Sequence, residues 1–183
     1  MTVLNIAMFG SDELAKSIAK ATDQRDVHTY VHKEYHDGVA KIISIIRPAR
    51  FPERLRPLLN AISAGRVGII EVNSVDATLG EVLVAFASSS IRLGLVVINP
   101  RSGEWVDEEI VKKMLAQAGL SKWKFVPNDG VEIRNELYQL MEEVEQELVD
   151  SAASQLVVSI DQHFNVKGIC LLYTSPSPRD SSP

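Results

Sequence analysis

The sequence predicts an α/β protein, a parallel sheet with helices on both faces. Three observations carry this. Strand-length apolar runs recur along the 183 residues, at 3–9, 42–46, 67–72 and 93–98. Helix-spaced apolar residues separate them, as in Leu55, Leu58, Leu59 and Ile62. Runs that are apolar on both sides suit strands covered on both faces, which is how parallel sheets are built. The third observation is Gly10 to Ser17, a loop-and-helix sequence directly after the first run. Ligands of such sheets bind there, at the carboxyl ends of the strands.

Each element follows from its pattern. Residues 3–9 are an apolar strand, and 12–21 a short helix with Leu14, Ile18 and Ala19 on one face. Residues 27–34 alternate and read as an edge strand, and 39–46 are β-branched. A helix over 52–64 leads to a buried strand over 67–72. An apolar helix over 79–87, a strand over 93–98, a helix over 106–118 and a short strand over 124–126 come next. Residues 129–149 form a long helix with Ile133, Leu137, Leu140, Met141, Val144 and Leu148 as its stripe. Beyond 150 the pattern changes: 155–160 and 166–172 read as two strands of an antiparallel module. The organisation expected is an α/β domain over 1–150 and the start of a β domain over 151–169.

The net charge of −5 argues against binding nucleic acid through this segment alone, because phosphates demand clustered Lys and Arg. No apolar run reaches the length of a membrane span, and residues 1–5 read as the approach to a strand, not a signal peptide. Cys170 is the single cysteine, which leaves no disulfide framework, and a cytoplasmic location is expected. The tail differs in kind. Cys170-Leu171-Leu172-Tyr173-Thr174-Ser175-Pro176-Ser177-Pro178-Arg179-Asp180 resembles the in-frame translation of a transposon-end sequencing adapter. Residues 170–183 are therefore read as an artefact without native contacts, although Cys-Leu-Leu-Tyr is β-prone and able to extend a strand.

Gly10, Ser11, Asp12, Glu13, Leu14, Ala15, Lys16 and Ser17 match the phosphate-loop spacing G-x-x-x-x-G-K-S/T except at its second glycine, which is Ala15. Such a loop aims consecutive backbone N–H groups at phosphates. Its lysine reaches the outer phosphates and its hydroxyl ligates magnesium; Lys16 and Ser17 match those positions. Ala15 adds a methyl where the backbone must curl, and Asp12 and Glu13 bring carboxylates that repel a triphosphate. The same acidic pair equally suits a plain helix N-terminus. His28, His32 and His36 recur every fourth residue, but in a β-branched context they are spread along a solvated edge strand and define no metal site. Trp105 and Trp123 flank the 106–118 helix and are expected to pack on it.

Over residues 3–169 the chain resembles a translational GTPase of the elongation factor Tu and SelB group, above all archaeal SelB-like paralogues with a degenerate nucleotide domain. Three stretches carry the likeness. The first is the Gly10–Ser17 loop. The second is Ile45-Ile46-Arg47-Pro48-Ala49-Arg50-Phe51 with the helix and strand after it, similar to the family's D-x-P-G-H segment. The third is Gln155 to Ile169, containing Ile160-Asp161-Gln162-His163-Phe164-Asn165-Val166-Lys167-Gly168, similar to the I-D-x-x-F-x-I/V-K-G-x-G opening of the β-barrel second domain.

The resemblance implies a GTPase-like fold followed by the first strands of that barrel. It implies a nucleotide site at Gly10–Ser17 and at Asn99, which stands where N-K-x-D reads guanine. It also marks departures. Arg47, Arg50 and Phe51 replace the magnesium-holding aspartate, the γ-phosphate-sensing glycine and the water-positioning histidine. Ser102 replaces the guanine-binding aspartate, and Val126-Pro127-Asn128-Asp129-Gly130 departs from the family's V-P-x-S-A. Residues 21–26 are too short for an effector loop. The resemblance thus implies a paralogue of the aminoacyl-tRNA delivery factors with GTP and Mg²⁺ binding weakened or lost, and with no catalytic residue assigned. Arg47 and Arg50 remain able to meet an anion without metal. Its tRNA and ribosome contacts would lie in domains beyond this segment. The alternative is a working GTP-binding factor with atypical motifs.

Overall fold

A computed structural model describes residues 1–24, 27–36, 38–102, 105–151, 162–166 and 169–173. The chain divides into two units, Met1–Glu145 and Gln146–Pro183. The first holds a seven-stranded sheet built from β1 (Thr2–Phe9), β2 (Lys20–Gln24), β3 (Val27–His36), β4 (Val39–Pro48), β5 (Val67–Val72), β6 (Leu93–Ile98) and β7 (Lys124–Val126). Their order is β2-β3-β4-β1-β5-β6-β7. The strands from β4 through β1, β5 and β6 to β7 are parallel to their neighbours, and β2 and β3 are antiparallel additions.

The helices α1 (Asp12–Ile18), α2 (Leu55–Ala64), α3 (Ala77–Ala87) and α4 (Glu108–Gln117) lie between strands of the sheet, and α5 (Gly130–Ser151) follows β7. Side-chain alternation on the strands sorts the core into two layers. Ile6, Met8, Ile43, Ile45, Ile69 and Val97 pack with residues of α1 and α5. Ala7, Ile70, Val72 and Val96 pack with residues of α2, α3 and α4. β5 is buried along its whole length, as a central parallel strand should be.

Glycine shapes the second layer. Gly68 and Gly94 are register partners on β5 and β6. A methyl on Gly68 would lie 2.2 Å from the Trp123 ring, and one on Gly94 would lie 2.5 Å from it. Trp123 fills the space those two residues leave, with Phe86 edge-on at 5.1 Å. Trp105, expected beside it on α4, is instead 82% exposed.

Three further expectations are corrected. β3 is not an edge strand over its first part: β2 covers His28 to Val31, with a register shift between Ala21 and Asp23. The helix over 12–21 stops at Ile18, because Lys20 already pairs with Val31. The histidine face of β3 is not simply solvated, since Tyr30 between His28 and His32 is fully buried. In the second unit β8 (Gln162–Val166) and β9 (Ile169–Tyr173) form an antiparallel hairpin. The strand anticipated over 155–160 and the tail over 174–183 lie outside the described residues. The β-prone Cys170 to Tyr173 is in β9.

Candidate functional site

At the carboxyl ends of β1 and β5, Gly10 and Ser11 meet Glu71. Chain order places them together: β1 and β5 are adjacent, while the chain between them crosses to the other side of β1. Such a switch point opens the ligand crevice of an open α/β sheet.

The backbone here is not a loop that curls around phosphates. Ser11 is the N-cap of α1, and its Oγ accepts from Leu14 N–H at 3.1 Å. Asp12 to Ser17 are already helical. Ala15 is fully buried in the layer under α1 and α5, so its methyl is a packing group. Lys16 points back along the helix to Asp12, Nζ to Oδ2 at 2.5 Å, and is half exposed. Ser17 Oγ donates to Leu14 O at 2.8 Å. Ser11, Lys16 and Ser17 thus turn their side chains to partners within or beside α1.

Glu71, missed by the reading of the sequence, fills the crevice. It is 1% exposed and the sole buried charged side chain among the described residues. Its Oε2 accepts from Ser11 N–H, and its Oε1 accepts from Asn99 Nδ2 at 2.6 Å. A methyl on Gly10 would come within 2.9 Å of Glu71 Oε2, so glycine there lets the backbone approach the carboxylate. Asn99, matched by resemblance to a base-reading position, therefore spends its amide on Glu71. The signal for Glu71 was visible: one carboxylate at the carboxyl end of an otherwise apolar central strand.

The arginine at position 47 is also engaged. Its Nε donates to Gly10 O at 2.6 Å, and Nη1 lies 3.4 Å from His28 Nδ1. Arg50 is exposed, and Phe51 turns to the opposite sheet face, edge-on to Phe9 at 5.7 Å. Asp12 adds a second tie, accepting from Tyr30 Oη at 2.5 Å. The Lys16 bond, then the Tyr30 bond, holds the Asp12 carboxyl below the usual carboxylate range. Burial first, and the Asp12 bond second, pushes Tyr30 up to about 12. Asp129, in the segment that departs from V-P-x-S-A, caps α5 through Val131 N–H at 2.8 Å and Glu132 N–H at 3.0 Å. Among the described residues no cluster of His, Cys, Asp or Glu forms a metal site. No helix among them is long and apolar enough to cross a membrane.

No family model matches the chain. It is similar to an uncharacterized protein of Methanocaldococcus jannaschii, 24% identical over 170 residues that cover 92% of this chain and 51% of the relative. The chain thus spans about half the length of the curated relative it matches.

Proposed function

We propose that this chain is the nucleotide-domain portion of a translation factor of the Tu/SelB type, acting as a binding factor without GTP chemistry. One observation carries the loss of GTP: the Glu71 carboxylate holds the Ser11 N–H and the Asn99 amide. The chain's own anion thereby takes a backbone N–H at the start of the loop and the amide matched to base reading, and a triphosphate entering the crevice would face the buried negative charge. The helical course of Asp12 to Ser17 supports the same reading, since a helix offers no ring of N–H groups. The resemblance supplies the translation context, in which the family delivers aminoacyl-tRNA to the ribosome through further domains.

The test is a calorimetric titration of the chain with GTP and Mg²⁺, with ATP as control. No saturable heat is expected with either nucleotide, and no turnover above background. Micromolar GTP binding, with hydrolysis abolished by Lys16→Ala, favours the alternative of a working GTP-binding factor, which retains Lys16 and Ser17 at the family spacing.

A further inference from the structure

Between α2 and α3, on the sheet face of Ala7 and Ile70, runs a groove of about 1000 Å³. Leu55, Leu59 and Ser63 line it from α2, and Gly80, Val84 and Ser88 line it from the side of α3. Each set steps by four residues, so each helix turns one i±4 ridge to the groove. The eight residues from Leu55 to Ser63 cover about 12 Å, room for roughly two turns of a third helix. The apolar walls face outward: Leu55 is 53% exposed, Leu59 47% and Val84 64%. Apolar residues grouped in this way mark interaction surfaces.

Gly80 adds an independent observation. Glycine is a poor residue inside a helix, and close packing is the usual reason to keep it there. No such reason exists within this chain, because a methyl on Gly80 would meet nothing within 4 Å. The side chain it lacks leaves the wall of the groove open. The serines of the lining are turned to their own helices. Ser63 Oγ donates to Asn60 O at 2.9 Å, Ser88 Oγ to Val84 O at 2.8 Å and Ser89 Oγ to Phe86 O at 2.6 Å. Inside, the groove thus offers shape and apolar surface, the demands of an amphipathic helix laid between two others. Its charge is at the rim. Arg50, Arg54 and Arg56 are exposed where α2 begins, interleaved with the lining residues Phe51, Pro52 and Leu55. Among the described residues none of these arginines has a carboxylate within 4.0 Å. They outnumber Glu53 beside them and Glu81 on α3, in a chain of net charge −5.

We propose that the α2–α3 groove docks an acidic amphipathic helix of a partner protein. Its apolar residues enter between Leu59 and Val84, and its carboxylates meet Arg50, Arg54 and Arg56. Nothing in this docking depends on the Tu/SelB reading.

The experiment is selection of displayed random peptides of about sixteen residues, roughly four helical turns, on the full chain. Enriched peptides are expected to carry apolar residues at i, i+3 or i+4, and i+7, with net negative charge. Gly80→Leu is expected to weaken their binding about tenfold while keeping or raising Tm, since leucine favours the helix and enters open space. Arg54→Glu with Arg56→Glu is expected to weaken binding and flatten its salt dependence. Lys122→Glu, at an exposed position in the turn before β7, is the control and is expected to change little. Enrichment of cationic peptides overturns the proposal, as does no enrichment or equal binding by Gly80→Leu. Two further outcomes also overturn it by assigning the groove elsewhere. A dimer in sedimentation equilibrium that Gly80→Leu dissolves assigns it to a second copy of the chain. Binding of anilinonaphthalene sulfonate that Gly80→Leu removes, without peptide enrichment, assigns it to a small apolar ligand.

Discussion

Replacing Glu71 by glutamine keeps the side chain's shape and turns one acceptor into a donor. That donor then meets either Ser11 N–H or Asn99 Nδ2, both of which are donors themselves. A buried donor facing a donor leaves both unsatisfied, so Glu71→Gln is expected to cost about 1–3 kcal/mol in urea denaturation. Adding Asn99→Asp reverses the polarity of the partner, and the double variant is expected to regain part of that loss. A double variant with the full sum of both single losses would show that the two residues do not interact. The neighbouring Asp12–Tyr30 pair sets the pH limits. Asp12 is held low by Lys16 and Tyr30, so its stabilisation is complete above the unfolded carboxylate pKa near about 3.9 and is lost as pH falls through the lower folded value. Tyr30 is pushed up to about 12 by burial, and so is Tyr138, by burial and by Glu34. Their contribution is complete below the unfolded tyrosine pKa of about 10 and is lost as pH rises from there through 12. Ultraviolet titration of the phenols is expected to show one late tyrosine fewer in Tyr30→Phe than in wild type, and the acid limb of that variant should also move to higher pH. Tyr30 had no signal in the sequence beyond its β-prone context. Its role depends on Asp12, eighteen residues away, and nothing local links the two.

At the scale of elements, α1 separates what spacing can say from what it cannot. The spacing of Gly10, Lys16 and Ser17 was legible, but the path of the backbone between them was not. That path is decided by Ser11 as an N-cap, by Asp12 and Glu13 in the first turn, and by Leu14, Ala15 and Ile18 entering the core. These are the determinants of an ordinary amphipathic helix, and the plain reading of the acidic pair anticipated it. Ala15→Gly is accordingly expected to open no phosphate seat. It removes a buried methyl and places glycine inside a helix, and thermal denaturation should show a loss of about 1.5–2 kcal/mol. Stability unchanged together with new triphosphate binding would contradict this account of α1. The long apolar runs of β1, β5 and β6 were legible because burial on both faces forces their composition. β2 was not, because Lys20-Ala21-Thr22-Asp23-Gln24 has no strand pattern of its own and is strand by pairing with β3. That pairing covers only the first part of β3, from His28 to Val31, so the edge moves inward there and not along the whole strand.

Across the whole molecule, the parallel sheet with two covered faces was readable from the alternation of element types, and the crevice followed from topology. The content of the crevice did not, since it depends on which side chain of β5 reaches the end of β1. The pairing of Gly68 and Gly94 beneath Trp123 was equally hidden, because glycines in adjacent strands declare nothing until their register is known. Yet that arrangement gives the protein two built-in lamps with opposite surroundings. Trp123, 4% exposed and edge-on to Phe86, emits from a dry interior and changes only when β5, β6 and the α3 layer come apart together. Trp105, 82% exposed, shines into water and answers to iodide whether or not the sheet is intact. The colour of the emission and its response to quencher thus separate global unfolding from events at the surface, with no label attached.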